Sequence, residues 1–296
     1  MFHKILCPVD FSPGSQQAVR VAVQLAEDTK AELRLAHVWH LPSLAFAAEH
    51  PYPASAIAQM VAASREELGT AVHDAEKLGA RRLSSVLLEG LPWQALCDAI
   101  DADGEIDLVV MGTHGRTGFR RLLLGSVAEK VVRLAPCSVM VVRGRAAAPP
   151  HRHVLVPVDF SPCSKHAVEV AASLAGRAGV RVTLLHVLQL PSVHTPEMSM
   201  PVYFEDIEGA AQRQLEEWAG VVRAKASVPV VTRTLLGQPA AEILTSLDAD
   251  PSVDLVVIGS HGRKGLGRLL LGSVAEQVVR HAPCPVLVAR ERPRAP

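Results

Sequence analysis

Aromatic residues are scarce in this chain. Phe, Trp and Tyr together make up 4 % of its 296 residues, so any core has to be filled by Val, Leu, Ile and Ala. Cysteine is scarce as well. Five cysteines scattered over this length, one necessarily unpaired, do not form the framework of a small disulfide-rich secreted protein. An excess of charge is missing altogether: thirty basic residues balance thirty acidic ones, which leaves no electrostatic footprint for nucleic acid or an anionic membrane. No apolar run approaches the roughly 20 residues that span a bilayer. The opening MFHKILCPVDF has neither a long apolar stretch nor a small-residue cleavage site. These absences lead to the expectation of a soluble, cytoplasmic protein with no nucleic-acid and no membrane partner.

What the chain does have is a duplication. GTHGRTGFRRLLLGSVAEKVVRLAPCSVMVVR, from Gly112, returns as GSHGRKGLGRLLLGSVAEQVVRHAPCPVLVAR, from Gly259, with 23 of 32 positions identical. PVDFSP opens both halves, at Pro8 and at Pro157. The offsets, 147 and 149 residues, are far longer than solenoid periods, so one domain is written twice. The expected division is a first domain over 1–144, an Ala- and Pro-rich linker over 145–152 and a second domain over 153–296. Each is of ordinary domain size.

Within each half, short β-branched runs alternate with longer amphipathic ones. Lys4–Val9, Glu32–Val38, Arg82–Leu88, Asp107–Met111 and Ser138–Arg143 read as strands, and Pro13–Asp28, Ala56–Leu78, a short segment ending at Ile100 and Ser126–Leu134 as helices. The second half repeats the order. Apolar residues run consecutively in Leu108–Met111, as in a strand covered on both faces of a parallel sheet. Parallel neighbours need crossovers, so each half is predicted to be a five-stranded, doubly wound α/β domain. Ligands in such sheets sit beyond the carboxyl ends of the strands, where strand order reverses. Those ends carry Pro8, Asp10, Val38, Met111 and Gly112, and in the second half Pro157, Asp159, Val187, Ile258 and Gly259.

From strand four into the next helix runs Gly112-x2-Gly115-x9-Gly125-Ser126, repeated as Gly259-x2-Gly262-x9-Gly272-Ser273. Glycines let backbone amides approach an anion without a Cβ in the way. The helix start at Ser126-Val127 or Ser273-Val274 favours negative charge, and Arg116 and Arg263 can bring a guanidinium to phosphates. The same glycines can also make tight turns only, with Ser126 as a helix cap. His114 and His261 inside the loop either contact a phosphate or hold the loop. No Gly-Lys-Ser/Thr follows, so this is not a P-loop.

With its Gly-x2-Gly-x9-Gly-Ser motif in both halves, its Pro-Val-Asp openings and its Ala-Pro-Cys-Pro-Val-Leu-Val ending over Ala282–Val288, the chain resembles a tandem-domain universal stress protein. The resemblance implies a Rossmann-like adenine-nucleotide fold and a stress-response binding module with ATP, with or without Mg, in each domain. It implies that Asp10 and Asp159 meet the ribose or adenine side, with helix capping as their other role. It places Val38, Val187, Met111 and Ile258 around the base. Gly112, Gly115, Gly125, Ser126, Val127 and their counterparts Gly259, Gly262, Gly272, Ser273 and Val274 would hold the phosphates. Ala128 and Ala275 stand where ATP-binding members often carry a hydroxyl. The resemblance also implies pairing of the two halves through their last strands, and a possible homodimer. The reading is of a non-enzyme; the alternatives are a slow ATPase and a nucleotide-free dimerisation module.

Overall fold

The computed structural model describes residues 2–41, 52–113, 124–143, 151–176, 180–189, 200–262 and 271–292, with 200–205 described by backbone alone. His114, Gly115, Arg116 and Arg263 lie outside the described residues, as do 144–150 of the expected linker. The chain divides into two compact units between Val142 and Arg143.

The first unit runs β1 (Lys4–Pro8), α1 (Pro13–Thr29), β2 (Glu32–Trp39), α2 (Ala54–Lys77), β3 (Leu83–Glu89), α3 (Pro92–Ala102), β4 (Leu108–Gly112), α4 (Ser126–Leu134) and β5 (Ser138–Val142). Its strands pair in the order β3-β2-β1-β4-β5, every pairing parallel. The second unit runs β6 (His153–Val158), α5 (Pro162–Ala175), β7 (Arg181–Leu188), α6 (Met200–Ala226), β8 (Val230–Leu236), α7 (Pro239–Ala249), β9 (Leu255–Gly259), α8 (Ser273–His281) and β10 (Val286–Ala289). Its order, β8-β7-β6-β9-β10, is the same. Each unit is the doubly wound α/β domain the alternation predicts. Among the described residues no helix is long and apolar enough to cross a membrane.

Apart from Lys4 and His153 at their starts, the central strands are apolar because helices cover both faces: Ile5, Leu6, Val109 and Val110 are fully buried, as are Leu255, Val256 and Val257. α1 is set by its start and its stop. Ser12 Oγ accepts from the Ser15 amide at 3.2 Å, Pro13 fills the first helical turn, and Lys30 ends the helix in a left-handed conformation. Its buried face includes Ala18, Val21, Ala22 and Leu25, the spacing read from the sequence.

β4 begins at Leu108, one residue after the expected start. The Asp107 carboxylate before it accepts the His3 and Lys4 amides, at 2.8 and 3.2 Å, while its own amide donates to Lys4 O at 3.1 Å. Asp254 does the same for Arg152 and His153, at 2.8 and 3.3 Å, so the last residue of the expected linker is already tied into the second unit. From β1 the chain first winds towards β2 and β3, then returns to place β4 on the other side. Strand order therefore reverses between β1 and β4, and between β6 and β9.

Candidate functional site

The turn after the first strand is built identically in both units. Asp10 Oδ1 accepts the Ser12 amide at 3.1 Å and the Ser12 hydroxyl at 2.6 Å. Asp159 Oδ1 holds Ser161 at the same two distances. The helix-capping role considered for the aspartates falls instead to Ser12 and Ser161; each aspartate holds its cap residue. Between them Phe11 and Phe160 adopt φ of 64° and 62°, a left-handed conformation that is uncommon for a bulky residue.

The glycines have separate, identifiable reasons. A Cβ on Gly112 would lie 2.8 Å from the Gly14 carbonyl carbon, and one on Gly259 would lie 2.8 Å from that of Cys163. These two glycines let the first helix of each unit press its N-terminus onto the end of the fourth strand. Gly262 is different, for a Cβ there would meet Asp159 Oδ2 at 2.6 Å. The carboxylate therefore lies against the glycine loop. Ser161 Oγ, whose proton goes to Asp159, also lies 3.4 Å from the His261 carbonyl oxygen.

The base of each glycine loop is closed by one backbone bond. Gly125 N–H donates to Thr113 O at 2.7 Å, and Gly272 N–H to Ser260 O at 2.8 Å. That bond places the glycine, not the serine, at the cap position of α4 and α8. Ser126 and Ser273 are exposed and make no capping hydrogen bond among the described residues, which corrects the helix-cap reading of Ser126. The first helical bonds come from Glu129 and Glu276. The amides of Ser126, Val127 and Ala128, and of Ser273, Val274 and Ala275, therefore precede them, with no side chain of the cap residue to cover them.

In the second unit these parts surround a cavity of about 770 Å³, within the 300–1,000 Å³ range of small-molecule sites. Every described residue expected there lines it: Pro157, Asp159, Val187, Ile258, Gly259, His261, Gly262, Gly272, Ser273 and Val274. The sequence reading missed Val158, Ser164, Leu185, His186, Leu188, Gln189, Ile207, Pro239, Ile243 and Ser260. Pro239 and Ile243 are one helical turn apart on α7, an apolar spacing that signals a buried face but not which cavity it borders.

In the first unit, Pro8, Val38, Met111 and Gly112 hold the same places by register: Pro8 pairs with Ala36 and Val38 with Leu88, as Pro157 pairs with Leu185 and Val187 with Leu235; Asp10 lies in the matching turn, and Gly125, Ser126 and Val127 at the matching helix start. His261 Nδ1 bonds Ser260 Oγ at 2.9 Å, while its buried Nε2 has no partner among the described residues. Burial, and then the Arg290 charge, lower its pKa, which favours the neutral ring.

The sequence model of the Universal stress protein family matches residues 1–143 and again 150–290. The chain belongs to the universal stress protein family. Its relatives are tandem proteins of the same length: a universal stress protein of Mycobacterium tuberculosis is 33 % identical over 300 residues, covering 98 % of this chain and 97 % of its own. One from Mycolicibacterium smegmatis is 32 % identical over 297 residues, covering 98 % of both. The crystal structure of a universal stress protein from Archaeoglobus fulgidus matches the fold with a TM-score of 0.72 at 23 % identity, over 97 % of this chain and 98 % of that one.

Proposed function

We propose that this universal stress protein binds an adenine nucleotide, ATP in the first instance, in each of its two domains. Nucleotide occupancy then regulates what the protein binds. The observation that carries the reading is the second-unit cavity. It joins apolar walls (Val187, Ile258, Ile243) for a base, a carboxylate (Asp159) suited to ribose hydroxyls, and uncovered amides at the start of α8 suited to phosphates. Gly115 and Gly262, with Arg116 and Arg263 beside them, complete the phosphate contacts in this reading. Among the described residues no group of three or more His, Cys, Asp or Glu could hold a metal, so Mg enters only as the counter-ion of the phosphates. Domain limits of 1–144 and 153–296, cytoplasmic location, pairing of the domains through β5 and β10 and a further homodimer belong to the same proposal.

Thermal unfolding with and without Mg-ATP tests it. A site held at 100 times its dissociation constant gains about 2.7 kcal/mol, so the midpoint is expected to rise, and to rise less in Asp10→Ala and Asp159→Ala. No rise at saturating ATP would leave a nucleotide-free dimerisation module, which the methyl of Ala275 in the cavity wall would suit. Multiple-turnover phosphate release would replace binding with slow hydrolysis.

A further inference from the structure

Two histidines outside the glycine loops touch the aspartate turns in a way the nucleotide reading does not use. His37 Nδ1 lies 2.7 Å from Val9 O, and His186 Nδ1 lies 2.6 Å from Val158 O. A carbonyl only accepts, so Nδ1 carries the proton and donates in both units. Val9 and Val158 immediately precede Asp10 and Asp159. The same imidazoles stack on Phe11 and Phe160, with ring centroids 4.5 Å apart in each unit. Left-handed backbone at a non-glycine residue is unfavourable, and an aromatic contact offsets part of that cost. One side chain thus ties down both residues that flank the aspartate.

The surroundings of this contact are not the same in the two units. Trp218 on α6 meets Phe160 edge-on at 5.5 Å, whereas α2 carries no aromatic residue at all. The histidine contact is unchanged by that difference, which sets it apart from general core packing. In the second unit the turn it holds also carries Ser161 against the glycine loop, and Asp159 Oδ2 against the place where a Gly262 Cβ would be.

We propose that His37 and His186 are positioning residues of the two sites. Each clamps the Val-Asp-Phe turn so that its carboxylate stays aimed into the ligand cavity. The proposal rests on the nucleotide reading only for the identity of the ligand. Its test compares His37→Leu/His186→Leu, which keeps apolar bulk and loses the donor, with His37→Asn/His186→Asn, whose amide can donate from the place of Nδ1. Both are made in the full chain.

Two quantities are measured: Mg-ATP affinity by calorimetry, and hydrogen exchange of the Ser12 and Ser161 amides, which report the turn directly. The leucine variant is expected to bind about tenfold more weakly, the equivalent of one lost hydrogen bond, and to exchange those two amides faster. The asparagine variant is expected to recover both. Leucine variants with wild-type exchange at Ser12 and Ser161 overturn the clamp, whatever ATP does. Faster exchange with unchanged affinity, in a protein that binds ATP, overturns its role in positioning. A wild type that binds no Mg-ATP defeats the nucleotide reading instead, and the exchange result then decides the clamp alone. If the leucine variants fail to fold, Phe11→Leu/Phe160→Leu, which keeps the histidine hydrogen bond and loses the ring contact, takes their place: faster exchange at Ser12 and Ser161 with weaker Mg-ATP binding is expected, and wild-type exchange overturns the clamp.

Discussion

His153 occupies in the second unit the place that Lys4 holds in the first, at the start of the first strand. Lys4 Nζ lies 2.8 Å from Asp103, 3.5 Å from Glu105 and 3.8 Å from Glu32; the Asp103 hydrogen bond raises its pKa, against the opposing pull of burial. His153 instead has Ser252 Oγ and Arg181 Nη2 at Nδ1, at 3.0 and 3.1 Å, and Thr183 Oγ1 at Nε2, at 2.8 Å. Asp250 Oδ2 is 3.6 Å away. Burial, and then the Arg181 charge, lower its pKa, while Asp250 and Asp254 only partly oppose them. A folded-state pKa below the ordinary 6.5 means the unfolded chain binds the extra proton first. The stability His153 contributes is therefore full above about pH 6.5 and is lost as pH falls through the window below it. Lys4, raised above 10.5, contributes nothing variable there and loses its share only in strong alkali. The pairs of Asp103, Asp250 and Asp254, whose pKa values are lowered, fail only below about pH 4. The expected result is a fall in the second unit's unfolding midpoint between pH 7 and 5.5, reduced in His153→Gln. His261, shifted the same way, supplies a residual slope.

Glycines that look alike in sequence do different work once elements meet. Gly259→Ala sets a Cβ 2.8–2.9 Å from the Cys163 carbonyl and the Ser164 amide, so α5 has to move off the end of β9. A loss of about 1–3 kcal/mol is expected in urea unfolding, and Gly112→Ala, against Gly14, should behave alike. Among the described residues, Gly262→Ala presses on the Asp159 carboxylate alone. It is expected to weaken nucleotide binding while leaving the unfolding midpoint within about a degree, because Gly262 is itself exposed.

Those separate reasons were not legible in the repeat, which shows only that the glycines recur. The strand and helix order was legible, because Leu108–Met111 and Leu255–Ile258 carry an apolar pattern that only a doubly covered strand needs. So were the strand ends that border the cavity. The role of Ser126 was not, since a serine after a glycine reads as a cap, and only the Gly125–Thr113 bond shows the glycine to hold that position. Nor was the role of His37, which depends on the β1–β2 register setting Ala36 beside Pro8.

Across the whole molecule the two sites share a plan but not a lining. Leu185, Leu188 and Gln189 border the second cavity; by strand register and position, the first unit has Ala36, Trp39 and His40 in their places. Trp39 and Leu188 even accept the same closing bond, from Gly90 and Gly237, at 3.1 and 3.0 Å. With Trp93 and Trp218 changed to Phe, emission from Trp39 is expected to respond to Mg-ATP at the first site alone. Two affinities should then separate: one seen by fluorescence, the other only by calorimetry. A fluorescence titration that tracks the total heat would show the sites to be equivalent.

The amide–carbonyl bond at the foot of each glycine loop has an evolutionary corollary. Thr113–Gly125 and Ser260–Gly272 span equal lengths and are anchored at their feet in the same manner, and the entropy of closing such a span changes only slowly with its length. Each is in effect a replaceable cassette plugged into an invariant socket. A gene that carries the socket twice can revise the contents of one while the other keeps its original trade.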